Sequence, residues 1–135
     1  MNKALQIASN FVVMNTDLDA ESLAVSDNFY AELDKKYGNF AGHTLISCHS
    51  FNSDWPTWEC HPNGDELVIL LDGEVEMRLA QDDGDESVRL ATPGEFVIVP
   101  RGTWHTAKVQ REARMLFVTP GEATENLEQP PSRDA

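Results

Sequence analysis

Short apolar segments separated by turn-forming residues make up most of this sequence. Runs of this kind, broken at close intervals by Gly, Pro, Asn and Asp, are typical of an all-β sandwich or barrel. The spacing leaves little room for helices, so we predict an all-β fold. The predicted strands are Phe11–Met14, His43–Phe51, Glu66–Leu71, Glu74–Leu79, Ser87–Ala91, Phe96–Val99, Trp104–Val109 and Met115–Val118.

One segment, Asp27–Tyr37, has the periodicity of a helix instead. Ser26 precedes it as a candidate cap, and Gly38 follows it as a residue that accepts the left-handed conformation common at helix ends. We predict one short helix here, packed on the outside of the sheet. Its apolar stripe is formed by Phe29, Tyr30, Leu33 and Tyr37.

Two acidic segments carry turn signals. Asp72-Gly73 lies between two apolar runs, and glycine accepts the positive φ that tight hairpins require, so we predict a two-residue hairpin there. The run Asp82–Glu86 is predicted to be the solvated tip of another hairpin, with a calcium site as the less favoured alternative. In the strand after Asp72-Gly73, apolar and charged residues alternate, which predicts one buried and one solvated face.

The segment Leu67–Leu71 is apolar at every position, which indicates that both faces of this strand are covered. Either a subunit interface or the amino-terminal segment could provide the second cover. We expect a homodimer on this basis.

The length of 135 residues fits one domain with one hydrophobic core. We predict a single domain over 1–135, in which 1–40 supply a strand and the helix, 41–118 form the barrel, and 119–135 form an extended polar tail.

Charge and cysteine content restrict the partners and the compartment. A formal net charge of -13 and a pI near 4.5 argue against nucleic acid and anionic membranes, because such partners need clustered Lys and Arg. The sequence has no apolar stretch of membrane-spanning length and no signal-peptide pattern at its start. Cys48 and Cys60 are expected to be free thiols, although one disulfide between them stays open. We expect a cytoplasmic protein that binds a small molecule.

Two glutamates and two histidines are candidate ligands of a metal ion. Glu59 and His61 have the period-two spacing that places both on one face of a strand, and the turn-forming residues after His61 can bring Glu66 back beside them. His105 follows a Pro/Gly turn at the start of a later strand. We predict that Glu59, His61, Glu66 and His105 converge on one divalent metal ion, since imidazole and carboxylate suit Fe, Mn, Ni and Zn.

Other histidine, tryptophan and cysteine residues are interpreted as structural and not as functional. His43 and His49 lie on a predicted strand without partner spacing, so we interpret them as packed or surface histidines. Trp55 and Trp58 are interpreted as packing or barrel-rim residues, and Cys60 as an inert thiol that faces away from the metal site.

Two spaced motifs resemble those of the cupin superfamily over roughly residues 40–118. The first motif has the pattern Gly, five residues, His, any, His, three or four residues, Glu, six residues, Gly. His61, Glu66 and Gly73 match it, while Ser53 is at the place of the first glycine and Glu59 at the place of the first histidine. The second motif is matched by Gly94, Pro100, Gly102 and His105. The chain looks most like small single-domain bacterial cupins that carry a Trp-Glu-x-His-Pro-x-Gly-Asp-Glu segment. The resemblance implies a cupin-type double-stranded β-helix, or jelly-roll barrel, with one short N-terminal helix.

Glu59 at a histidine position changes the charge of the predicted site. Two imidazoles and two carboxylates neutralise a divalent cation, whereas three imidazoles and one carboxylate leave it positive. Alternatively Glu59 does not bind the metal and is a catalytic general base beside a triad of His61, Glu66 and His105 with open positions.

Three functions agree with these features. The first is a metal-dependent enzyme, an oxygenase or isomerase, that acts on a small oxygen-bearing metabolite. The second is a non-catalytic cupin that binds a sugar or another metabolite. The third, a structural barrel packed solid, ranks last because buried carboxylates without partners are costly.

Overall fold

The computed structural model describes residues 3–131, which form two antiparallel sheets and one helix. The six-stranded sheet has the order β2-β1-β3-β10-β5-β8, and the five-stranded sheet has the order β11-β4-β9-β6-β7. The elements are β1 Asn10–Met14, β2 Ala20–Ala24, α1 Phe29–Lys36, β3 Thr44–Phe51, β4 Trp58–Cys60, β5 Glu66–Gly73, β6 Val75–Gln81, β7 Gly84–Leu90, β8 Phe96–Val99, β9 His105–Lys108, β10 Ala113–Thr119 and β11 Glu125–Leu127. The prediction of an all-β fold with one short N-terminal helix is confirmed.

The main core lies between the two sheets. Strands β5 and β10 contribute inward-facing side chains such as Val68, Leu70 and Met115, while β6 contributes Val75 and Met77 from the opposite sheet. All five are essentially inaccessible to solvent. The predicted alternation along β6 is present, because its odd-numbered apolar residues are buried and its even-numbered residues are half-exposed.

A second apolar cluster forms where α1 meets the six-stranded sheet. Phe29 and Leu33 of the helix pack against Phe11 and Val13 of β1 and Leu45 of β3. Since side chains alternate along a strand, Leu45 points to the same side as the inward-facing residues of β3. The helix therefore packs on the cavity side of this sheet, and the expectation that it lies outside is wrong. A helix so placed forms part of the wall of the cavity that contains the site.

The Asp72-Gly73 hairpin prediction is also wrong. The chain does turn here, with Gly73 at φ +87°, but β5 and β6 belong to different sheets and do not pair with each other. β5 pairs instead with β10 and β8, and β6 pairs with β7 and β9. The local turn signal is real, whereas the partners of the two strands are fixed by contacts distant in the chain. The other predicted hairpin is present: its turn lies at Asp82-Asp83, although Gly84–Glu86 already belong to β7.

Part of the predicted tail belongs to the five-stranded sheet. β11 pairs with β4, so that Asn126 lies opposite Glu59. Its three residues are exposed, which is why their polar sequence hides the strand. The division of 1–135 into an N-terminal part, a barrel and a tail stays a prediction. Residues 132–135 of that tail lie outside the described residues.

The helix of this structure does not have the length or the apolar character of a membrane-spanning segment. Within residues 3–131, α1 is too short and too polar to cross a bilayer.

The sharp connection at Gly73 generates a stability prediction. A Cβ at this position would lie 1.9 Å from the carbonyl oxygen of Glu112, and φ is in the region that L residues avoid. We expect Gly73→Ala to lower the free energy of unfolding by about 2–4 kcal/mol, from backbone strain plus the steric clash. Urea titration followed by tryptophan fluorescence measures this change.

Gly94→Ala is the matched control. Gly94 has a similar φ of +95°, and a Cβ there meets nothing within 4 Å. We expect Gly94→Ala to lower the free energy of unfolding by about 1–2 kcal/mol, from backbone strain alone. Equal losses in the two variants would contradict the steric argument.

Candidate metal centre

Four side chains, three from residues 59–66 and the fourth from His105, meet at one end of the space between the sheets. Glu59 lies on β4, and His61 follows one residue after that strand ends. Glu66 and His105 are the first residues of β5 and β9. Glu59 pairs directly with His105 across β4 and β9, and the Gly102 N–H donates a 3.0 Å hydrogen bond to the His61 carbonyl oxygen. Backbone contacts therefore fix the relative positions of the two motifs.

The candidate ligand atoms lie close together. His61 Nε2 is 3.0 Å from Glu59 Oε1 and 3.2 Å from Glu66 Oε2, while His105 Nε2 is 3.0 Å from Glu66 Oε1. One donor atom from each of the four residues lies within 4.8 Å of the others. His61, Glu66 and His105 are buried, whereas the Glu59 side chain is 28% exposed. We call these four residues the Glu/His cluster.

Contacts on the far side of each imidazole fix which nitrogen carries the proton. His105 Nδ1 lies 3.0 Å from the carbonyl oxygen of Thr103, which can only accept, so Nδ1 holds the hydrogen. His61 Nδ1 lies 2.9 Å from Thr124 Oγ1, and that hydroxyl already donates to the Gly121 carbonyl oxygen at 2.9 Å. His61 Nδ1 is therefore also the donor. In both neutral rings the lone pair on Nε2 points into the cluster.

Lone pairs that face carboxylate oxygens need a positive charge between them. His61 Nε2, His105 Nε2 and Glu66 Oε1 are buried, and none of them makes a hydrogen bond of acceptable geometry to any described residue. Leaving such groups unpaired costs free energy. Protons on both rings or one shared cation would remove that cost. The donor set consists of two carboxylates and two imidazoles, and the outer nitrogen of each imidazole is held by a hydrogen bond. This set fits a first-row divalent metal ion.

The same arrangement shifts two pKa values in opposite directions. Burial lowers the pKa of His61, but the adjacent carboxylates of Glu59 and Glu66 outweigh burial and raise it to about 9. Burial raises the pKa of Glu66, yet contacts with His105 and His61 prevail and lower it to about 2. Without a metal, the cluster therefore holds an imidazolium beside an ionised carboxylate at neutral pH.

Neighbouring loops hold the cluster in shape. Thr119 Oγ1 on β10 donates a 2.7 Å hydrogen bond to Glu66 Oε2. Asp65, exposed as expected for the neighbour of an inward-facing residue, accepts from the Arg101 N–H at 2.8 Å and so ties the turn before His105 to the start of β5. The chain thus fixes both the carboxylate and the loop that carries the second histidine.

The cluster opens into a cavity of about 990 Å³ between the sheets. Helix α1 contributes Tyr30 and Leu33 to its wall, β3 contributes His49 and Phe51, and the segment after β10 contributes Glu122. A space of this size suits a small-molecule ligand. It also contradicts a barrel that is packed solid.

Comparison with known proteins places this fold in a family. The family model of the cupin domain matches residues 53–119, about half of the chain, and this match includes all four residues of the Glu/His cluster. The chain belongs to the cupin superfamily. The predicted cupin-type jelly-roll fold is confirmed by this match together with the two antiparallel sheets.

Several solved structures are similar to this cupin at low sequence identity. A deletion mutant of oxalate decarboxylase from Bacillus subtilis matches with a TM-score of 0.54 and 17% identity, over 62% of this chain and 24% of that chain. Recombinant oxalate oxidase in complex with glycolate matches with a TM-score of 0.51 and 19% identity, over 61% and 45%. A protein from Neisseria meningitidis matches with a TM-score of 0.49 and 18% identity, over 56% and 72%. A search of curated proteins found no match.

The sequence interpretation missed several residues that line the cavity of this cupin. His49, interpreted as packed or surface, lines the cavity with its Nε2 3.0 Å from the Tyr30 hydroxyl. Trp55 packs against the main core, as interpreted from the sequence, and it also lines the same wall. The signal that could have revealed His49 is the alternation of β3, which places it on the same side as Leu45. For Tyr30 and the Thr124 contact to His61 there was no local signal, since both depend on tertiary packing.

The raised pKa of His61 predicts how stability depends on pH in chelator-treated protein. Because the pKa is about 9 in the folded chain and 6.5 in the reference state, the stabilising contribution is complete below pH 6.5. It is lost as pH rises towards 9. We expect the free energy of unfolding in EDTA to fall by about 1–3 kcal/mol over this interval. Urea midpoints measured across the interval test this expectation.

His61→Asn is the control for that pH dependence. It removes the titrating ring, so its stability should change little between pH 6.5 and 9. A fall as large as that of the parent would assign the titration to another group.

Proposed function

We propose that this cupin binds one divalent metal ion, Fe, Mn, Ni or Zn, through His61, Glu66, His105 and Glu59. On this proposal the protein is a metal-dependent enzyme of oxygenase or isomerase type whose substrate is a small oxygen-bearing metabolite. The observation that carries the proposal is the pair of imidazole Nε2 atoms that face the buried Glu66 carboxylate oxygens at 3.0–3.2 Å. A bound divalent ion would supply Lewis acidity towards a substrate oxygen.

Residues in and around the Glu/His cluster have separate roles in this proposal. Thr124 and the Thr103 carbonyl oxygen hold the two imidazoles in the tautomer that presents Nε2, and Thr119 fixes one oxygen of Glu66. Glu59 is the member with exposed surface, so its carboxylate borders the cavity. We propose Glu59 as the fourth ligand, with the alternative that it does not bind the metal and takes up a substrate proton as a general base.

Elemental analysis of protein purified without chelator or added metal tests the metal site. We expect about one metal ion per chain in the parent, and about a tenth of that or less in Glu66→Gln and His105→Ala, because each change removes a ligand. His43→Ala is the matched control and should keep the parent's content, since His43 lies outside the Glu/His cluster. A parent that carries no metal and cannot be loaded would refute the proposal.

Glu59→Gln tests whether Glu59 is a metal ligand or a general base alone. The change keeps the size of the side chain and removes its charge. Metal affinity at least tenfold weaker than in the parent supports Glu59 as a ligand. Unchanged metal affinity would contradict that assignment and leave Glu59 as the general base alone.

The alternative function, a non-catalytic metabolite-binding cupin, draws on the same cavity of about 990 Å³. We favour the enzyme because binding a metabolite does not require two imidazole Nε2 atoms to be aimed at a buried carboxylate. The oxidase and the decarboxylase among the structural matches, named for action on oxalate, add weight to an enzyme of this fold.

We also propose that the protein is a homodimer formed through the outer face of the six-stranded sheet. Register places Leu67 opposite Ile98 and Ile69 opposite Phe96, and side-chain alternation directs these four away from the core. Phe96 is 58% exposed and Ile98 is 54% exposed. β8 is the edge strand, so a second copy would cover both its apolar residues and its free backbone groups.

The compartment stays a proposal as well. Cys48 and Cys60 are both free and buried, and their side chains belong to different sheets. Free thiols agree with the reducing cytoplasm that we propose as the location of the protein.

Light scattering during size-exclusion chromatography tests the dimer. The parent should elute at twice the chain mass of 15.1 kDa at micromolar concentration. Phe96→Glu combined with Ile98→Glu should shift it to the monomer, because two buried charges per subunit oppose association. Leu5→Glu, a change at an apolar residue that is 53% exposed, should leave the dimer intact. A monomeric parent would refute the dimer.

A further inference from the structure

The cavity beside the Glu/His cluster has an unusual balance of charge. Its wall contains five carboxylates and, among the described lining residues, no Lys or Arg. Glu59 and Glu66 belong to the cluster, so a divalent ion held there would neutralise their charges. The carboxylates that remain are those of Asp34, Asp54 and Glu122.

Local contacts leave this negative charge largely uncompensated. Glu122 accepts one hydrogen bond, from the Gly42 N–H at 3.1 Å. Asp54 accepts from the Val109 N–H at 2.7 Å, and Lys108 Nζ lies 3.9 Å from Asp54 Oδ2, with the two side chains 36% and 53% exposed respectively. An ion pair of this length in solvent contributes little. Asp34 and Asp54 are exposed and Glu122 is half-buried, so their negative charge acts on a ligand at the solvent-facing part of the cavity.

Aromatic rings form the apolar part of the same wall. The ring centroids of Phe51 and Trp55 are 5.5 Å apart, and Phe117 lies 6.0 Å from Trp55 and 6.3 Å from Phe51. All three line the cavity. The faces of aromatic rings attract cations, and the attraction strengthens when water is excluded. The net charge of -13 acts in the same direction by attracting cations to the molecule.

We propose that the cavity selects a small organic cation, an amine carried on an apolar body, and rejects carboxylates of the glycolate or oxalate type. The inference deepens the proposed function by naming its substrate class, an oxygen-bearing amine, and as a statement about substrate it rests on that function. Asp34, Asp54 and Glu122 would hold the ammonium group, while Phe51, Trp55 and Phe117 would contact the apolar body.

A series of three probes of similar size and different charge tests the inference. Benzylamine is a cation at pH 7, benzyl alcohol is neutral and benzoate is an anion. We expect benzylammonium to bind at least tenfold more tightly than benzyl alcohol, a difference of about 1.4 kcal/mol, and benzoate to bind most weakly. Isothermal titration calorimetry at low salt measures the three affinities, and the preference for the cation should shrink at high salt.

Two double variants assign the preference to the cavity. Asp34→Asn with Glu122→Gln should weaken benzylammonium binding at least threefold and leave benzyl alcohol binding unchanged, because neither residue belongs to the Glu/His cluster. Asp82→Asn with Asp83→Asn makes the same change in net charge at the β6–β7 turn, outside the cavity. It should change benzylammonium affinity by less than twofold.

The titrations are run on metal-free and zinc-loaded protein so that the two proposals can fail separately. Protein that cannot be loaded with zinc but prefers benzylammonium refutes the metal site and keeps the cation site. Protein that takes up zinc but binds benzoate as tightly as benzylammonium refutes the cation site alone. Absence of binding for all three probes also overturns the cation site, and so does an equal effect of the two double variants.

Discussion

The buried carboxylate of Glu66 imposes the strongest constraint on this structure. It lies between two imidazoles whose outer nitrogens are already engaged, so both rings present Nε2 to its oxygens, and in the neutral rings these atoms carry lone pairs. Such an arrangement is unfavourable unless a positive charge is shared among the groups. Protons can supply that charge in the metal-free chain, and we propose that a divalent ion supplies it in the working protein.

The fold brings these groups together by backbone contacts rather than by the side chains themselves. Pairing of β4 with β9 sets Glu59 against His105, and the hydrogen bond from Gly102 to the His61 carbonyl oxygen joins the two motif segments. Asp65 adds a contact to the Arg101 N–H. Because these contacts do not depend on the charge state of the cluster, the ligands can stay close to one another while protons or metal exchange.

Electrostatics link the cluster to the cavity beside it. With Glu59 at the position where the resembling motif has a histidine, two carboxylates instead of one would balance the charge of the divalent ion that we propose. Such a neutral centre would leave the surrounding carboxylates, such as Asp34 and Glu122, to set the sign of the cavity. On this proposal, one substitution in the motif bears on both the reactivity of the centre and the ligands that it attracts.

Several features follow from the sequence by itself. The alternation along β6, the strand from Phe96 to Val99 and the left-handed Gly38 were predictable because they depend on local periodicity and backbone preference. The convergence of Glu59, His61 and Glu66 was also predictable, since period-two spacing and a turn limit where those side chains can point. His105 was assigned from its place after a separate Pro/Gly turn in the second motif, and the pairing of β4 with β9 brings it to the other three. Their role as metal ligands stays a prediction.

Tertiary structure alone decided the rest. Asp72-Gly73 has the residues of a hairpin, but the chain crosses there to the other sheet, because the pairing of β5 with β10 is distant in sequence. Thr124 and Asn126 belong to a polar segment without periodicity, and only the pairing of β11 with β4 places them beside the cluster and the cavity. Local secondary-structure propensity depends on residues that are neighbours in the sequence, so it can be predicted from them. The choice of strand partner and the contents of the cavity wall depend instead on the packing free energy of the whole chain.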